Sequence, residues 1–199
     1  MTTFLLNSGH GEETKGKRSP FVPPGVVEYA FNRAVVMSIL EIARSDNIDV
    51  VHLDPEYEAV PLKELVRRAN EYYTRDNDCL FISVHANAAS GGDDQWIDHA
   101  HGATALISPH ASKASRWFGQ LVVDATSDNA VMTNRGVRER NLYLLNKTSG
   151  PAIITENGFM THSAEATKLA SEYWRKKIAV AHCKAMQIWI DVTTSTKNV

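Results

Sequence analysis

The 199-residue sequence has only two cysteines, Cys79 and Cys183, too few for the disulfide framework that holds small secreted domains together. No apolar run approaches the roughly 18 residues of a membrane span, which argues against membrane insertion. Neither sign of charge is in excess: 21 Lys and Arg stand against 23 Asp and Glu, for a formal net charge of -2. That balance gives no support for a nucleic-acid binder, which holds phosphates by a basic surface. Met1 to Asn7 run straight into an apolar segment with no basic start or cleavage site, so the expectation is a chain made without a secretory signal. An internal repeat and a Gly/Ser linker are also missing, as are the P-loop, GxGxxG and GxSxG patterns.

What is present suffices for one substantial core, since 43% of the residues are apolar. One domain is expected over residues 1–193, followed by a polar tail at 194–199. Short apolar runs predict strands at 2–6, 48–53, 80–84, 103–107, 152–154 and 188–192. Helical spacing predicts helices at 26–44, 61–73, 111–125 and 163 to about 184. Residues 126–134 read as a loop, and 136–147 fit a short strand or irregular rim as well as a helix. Such alternation implies an α/β fold, an open twisted and mostly parallel sheet with helices on both faces.

In such sheets functional groups collect beyond the carboxyl ends of the strands. Three strand ends carry candidates: His10 in Asn7-Ser8-Gly9-His10-Gly11, His85 in the stretch CLFISVHANAA from Cys79 to Ala89, and Glu156 before Asn157-Gly158. His10, Glu28 and His85 make up the ligand inventory of a catalytic zinc site, but their separations carry no local geometry. Glu28, in the first turn of its helix, would also serve the helix dipole alone. Glu156 has two readings: a general base, or a carboxylate held by nearby backbone or arginine. Arg138 and Arg140 suit a carboxylate-bearing substrate or plain solvent. Trp96 would line a groove or pack in the interior, and His101, paired with His99, would ligate a metal or steady the site from behind. The long loops Glu12 to Gly25 and Ser90 to Gly102 flank these groups.

These motifs, taken in order, resemble the zinc-dependent N-acetylmuramoyl-L-alanine amidases of the Amidase_3 type. Asn7 to Gly11 is similar to that family's glycine-histidine-glycine opening, with Asn7-Ser8 in place of aspartate-proline. Arg67 or Arg68 with Ala69-Asn70, Leu80 to Ala88, Gly136-Val137 with Leu142 and Leu144-Leu145, and Pro151 to Met160 follow the later motifs. Leu53-Asp54 departs from the family's frequent threonine-arginine pair. The resemblance implies a phosphorylase/hydrolase-like fold, Zn2+ on His10, Glu28 and His85, and Glu156 as the catalytic acid-base. It also implies substrate or supporting roles for residues such as Asn87, Trp96, His101, Arg138 and Arg140. The implied reaction hydrolyses the amide between the lactyl group of N-acetylmuramic acid and L-alanine in bacterial peptidoglycan. A related zinc peptidase and a non-catalytic peptidoglycan-binding protein are the alternatives. With neither a signal nor a separate wall-binding module in view, the expectation is a bacteriophage endolysin, made in the host cytoplasm and released to the wall by a holin.

Overall fold

The computed structural model describes residues 2–21, 25–92 and 94–197. In chain order the elements are β1 (Thr3–Asn7), α1 (Glu28–Ser45), β2 (Val50–His52), α2 (Leu62–Arg75), β3 (Cys79–Asn87) and β4 (Ala103–Ile107). They continue as α3 (Lys113–Ala130), β5 (Asn134–Glu139), α4 (Tyr143–Lys147), β6 (Ala152–Phe159), α5 (Ser163–Ala170) and α6 (Glu172–Lys197). The six strands form one sheet in the order β2-β1-β3-β6-β4-β5. Neighbours are parallel except β4 and β6, so β4 and β5 run against the other four.

Strand side chains alternate between faces, and the core divides accordingly. Phe4, Leu6, Leu80, Ile82 and Val84 point to the side covered by α1, α3 and α6, where Phe31, Phe118 and Ile178 meet them. Leu5, Phe81 and Ile154 point to the side of α2 and α4, against Leu65, Val66, Tyr73 and Leu144. Helices therefore cover both faces of a mostly parallel sheet, as the alternation predicts. The α2 face also carries the polar ends of its strands: Asn7 beyond Leu5, Ser83 and His85 beyond Phe81, and Glu156 beyond Ile154.

Several boundaries differ from the sequence expectation. The strand predicted at 188–192 belongs to α6, which also takes in 194–197 of the expected tail; 198–199 lie outside the described residues. Its residues follow helical spacing: Ile178, His182, Met186 and Trp189 are buried, whereas Ile188 and Val192 face outward. Helix α3 runs past Ala125 because Thr126 and Ala130 prolong the buried stripe begun at Val122. Ser112 caps its start, and Val131, in the left-handed region at φ 48°, ends it. Residues 136–147 divide between β5 and α4. Between α5 and α6 Ser171 interrupts the single helix expected there, and His162 caps α5, its side chain accepting from the Glu165 N–H. The loop at 12–25 is described apart from 22–24 and is pinned to α1: Glu28 N–H donates to the Lys17 carbonyl at 2.8 Å, and buried Ser19 pairs with Val26.

Candidate metal centre

The strand β1 ends at Asn7, and the chain then turns sharply through Gly9-His10-Gly11. A Cβ on Gly9 would lie 2.3 Å from the His85 ring, and one on Gly11 only 2.0 Å from the Ala59 backbone nitrogen. Both glycines are therefore demanded by close approach, not by flexibility. His10 itself adopts φ 65°, an uncommon conformation for a residue with a Cβ. Asn32 steadies this turn by donating from Nδ2 to the Gly9 carbonyl at 2.9 Å.

Glu28 and Asn32 lie one turn apart at the head of α1, and both are buried. Glu28 does not merely serve the dipole. Its Oε2 is 3.2 Å from His10 Nε2 and its Oε1 is 3.0 Å from His85 Nδ1. The two imidazole rings meet edge to face with centroids 5.0 Å apart. One nitrogen from each histidine and a carboxylate oxygen thus lie within 4.8 Å of one another. Burial alone would raise the Glu28 carboxyl, but hydrogen bonds and charge from His10 and His85 outweigh it and hold it down at about 2. Two imidazole nitrogens and an ionised carboxylate are a donor set suited to a metal such as zinc.

Glu156 is not at a turn beyond its strand, as the apolar run suggested. It lies within β6, opposite His85 on β3 and Thr104 on β4. Two apolar-flanked strands enclose it, and its Oε2 is buried with no hydrogen-bond partner. Burial and then the charge of Glu28 push this carboxyl up to about 8, with Lys17 opposing. The reading of a carboxylate satisfied by backbone or arginine fails here. A half-buried acid whose Oε2 is enclosed without a partner, beside a cluster that could hold a metal, has the environment of a proton carrier.

A cavity of about 280 Å³ opens over the histidines, lined by Gly9, His10, Asp54, Leu65, His85 and Leu144 among others. None of the five other candidates lines it. Asn87 ends β3 and accepts from the Ala88 N–H at 2.8 Å. Trp96 meets Phe21 at a tilt, with centroids 5.6 Å apart, and packs against the core. His101 stands against His162, and exposed Arg138 and Arg140 lie on or just past the edge strand β5. Sequence patterns did not single out Asn32, Asp54 or Ser83. The detectable signals were a second polar residue at i+4 on the apolar stripe of α1 and the odd-numbered polar positions of β3.

An α/β sheet that brings together a His-Glu-His cluster able to hold a metal ion, with a glutamate on the neighbouring strand, suits a hydrolase. The family model for N-acetylmuramoyl-L-alanine amidase, Amidase_3, matches residues 5–187, and the chain belongs to that family of peptidoglycan-degrading enzymes. It is similar to the uncharacterized protein YqiI of Bacillus subtilis, with 24% identity over 95% of this chain and 85% of the relative. It is also similar to the endolysin of Bacillus phage SPP1, with 27% identity over 91% of this chain but only 63% of the phage protein. Among solved structures, an N-acetylmuramoyl-L-alanine amidase from Clostridium difficile 630 superposes with a TM-score of 0.83 at 23% identity, covering 96% of this chain and 97% of that one. No described helix is long and apolar enough to cross a membrane.

Proposed function

We propose that the protein hydrolyses the amide joining the N-acetylmuramic acid lactyl group to L-alanine, with zinc held by His10, Glu28 and His85. The observation that carries this reading is the convergence of those three ligand atoms beside the Glu156 carboxyl, whose buried Oε2 has no partner. A zinc ion there would polarise the amide carbonyl and acidify water. The chain's own groups do the rest. Glu28 and the two histidines fix the position of the cation, and the turn through Gly9 and Gly11 keeps His10 from swinging away. Glu156 takes a proton from the attacking water and returns it to the departing amine of L-alanine. Its burial favours that role, because a carboxyl held up in pKa is a stronger base once ionised.

The test is mass spectrometry of products from defined peptidoglycan, with and without a zinc chelator. Stem peptides beginning at L-alanine, beside glycan strands with intact lactyl groups, are the expected products, and chelation should abolish them. Cleavage inside the stem would replace this reading with that of a zinc peptidase; binding without products would replace it with a wall-binding role. A phage lysin delivered by a holin draws support from the SPP1 endolysin among the relatives. Expression inside a susceptible bacterium with and without a co-expressed holin tests it, lysis only with the holin being the expected result.

A further inference from the structure

Asp54 follows β2 and is buried, with 5% of its surface exposed. Donors surround it: Asn7 Nδ2 at 2.7 Å, Ser8 Oγ at 2.9 Å, and the Ser8 backbone N–H at 3.0 and 3.1 Å from its two oxygens. His52 Nε2 is a further 3.3 Å away. This cluster lies outside the metal-ligand set, but it connects to it. Asn7 and Ser83 are register partners on β1 and β3, and Ser83 and His85 share one face of β3. Ser83 Oγ bonds to Asn7 Oδ1 and lies 3.0 Å from His85 Nε2.

The direction of each bond follows from the one before it. The carboxylate of Asp54 accepts, so the amide of Asn7 must turn its NH2 to Asp54 and its oxygen to Ser83. The single hydroxyl hydrogen of Ser83 then goes to that oxygen. Only lone pairs remain on Ser83 to face His85, so His85 Nε2 must carry a hydrogen. A neutral imidazole has one N–H, which leaves Nδ1 with its lone pair. Nδ1 is the nitrogen that faces Glu28. A lone pair and a carboxylate oxygen 3.0 Å apart repel unless a proton or a metal cation lies between them, and a metal ion is what the neutral ring is set to receive.

We propose that Asp54, Asn7 and Ser83 form a polarity relay that fixes His85 as the Nε2–H tautomer and so presents Nδ1 to the metal. All three are positioning residues: they act on the metal through His85. The proposal rests on the reading of His85 as a metal ligand. It extends that reading to a buried carboxylate three hydrogen bonds away from the His85 ring.

The test compares Ser83→Thr with Ser83→Val, side chains of the same shape that differ by the hydroxyl, so that any cost of the added methyl cancels. Zinc affinity is read by competition with a chromophoric chelator, and the tautomer of His85 by 15N-edited NMR of the zinc-loaded protein. The expected result is that Ser83→Val binds zinc roughly 10- to 100-fold more weakly than Ser83→Thr, the usual loss when a ligand histidine is deprived of its supporting bond. Wild type should show hydrogen on Nε2 and metal on Nδ1. Asp54→Asn, which turns a donor toward the donors of Asn7 and Ser8, should weaken zinc binding in the same direction. Equal affinity in the Thr and Val variants, or metal on Nε2 in wild type, would overturn the relay while leaving the metal site standing. Should His85→Ala bind zinc as tightly as wild type, the ligand assignment itself would fall, and the relay with it.

Discussion

Glu156 is the residue whose chemistry departs furthest from its residue type. Its carboxyl is raised from the ordinary 4.5 to about 8 by burial and by the charge of Glu28. In the ion-free protein it is therefore largely protonated near neutral pH; a cation on the adjacent cluster would favour its ionised, basic form. Glu156→Gln keeps the shape and loses the proton transfer. Turnover should fall by about 10²- to 10⁴-fold with zinc content unchanged, as general acid-base groups typically contribute; a variant with more than a tenth of wild-type activity would remove the role. The same variant reads out the burial cost. The unfolded chain releases this proton near 4.5 and the folded chain only near 8, so wild-type stability declines as pH rises through that window. Between pH 5 and pH 9, urea denaturation of the ion-free proteins should show Glu156→Gln gaining on wild type by more than about 1 kcal/mol, the worth of a single pKa unit. A constant gap would mean that the carboxyl is solvated.

At the scale of elements, the sequence revealed the sheet strands near the site more clearly than the helices behind it. Leu80 to Ile82 is apolar on both faces, as a central parallel strand requires, and β3 lies where that pattern predicts. The strand predicted at 188–192 failed because Ile188, Ile190 and Val192 suit a strand locally, whereas the buried spacing from Ile178 to Trp189 decides for helix only once α6 meets the sheet. No local pattern could report that β4 enters antiparallel to β6, since direction is a property of the pairing. His182 illustrates the same limit. It looked like one of eight histidines in the sequence, yet on α6 it is fully buried, with Nδ1 donating to the Ile178 carbonyl and Nε2 3.2 Å from Thr155 Oγ1 on β6. Burial lowers its pKa to about 4, with the Ile178 hydrogen bond opposing. The unfolded chain takes up this proton near 6.5, so the contribution of a neutral His182 is whole above that pH and is lost as pH falls toward 4. His182→Gln should therefore show a shallower loss of urea midpoint between pH 7 and pH 4.5 than wild type. Parallel curves would show that the α6 contact does not titrate in this range.

Across the whole molecule, a metal ion held by the His10-Glu28-His85 cluster would be a long-range cross-link. His10 follows β1, Glu28 heads α1 and His85 lies in β3, so the three are brought together only when the sheet and the helix on its far side have formed. A cation bound there binds the folded chain and not the unfolded one, and stabilises it by mass action. At 100 times its dissociation constant zinc should add about 2.7 kcal/mol. For a domain of this size that corresponds to a rise in Tm of roughly 5–10 °C by calorimetry. Removal by chelator should reverse it, and His10→Ala or His85→Ala should lose most of the rise. Protons compete with zinc for the ligand lone pairs, so the rise should shrink as pH falls from 7.5 to 5.5. Glu28, held down at about 2 by its two histidines, keeps its charge throughout that window. If zinc left the wild-type Tm unmoved, or moved the histidine variants equally, the cross-link would not exist, and the cluster would be an ion-pair network that holds α1 to the sheet by its own charges.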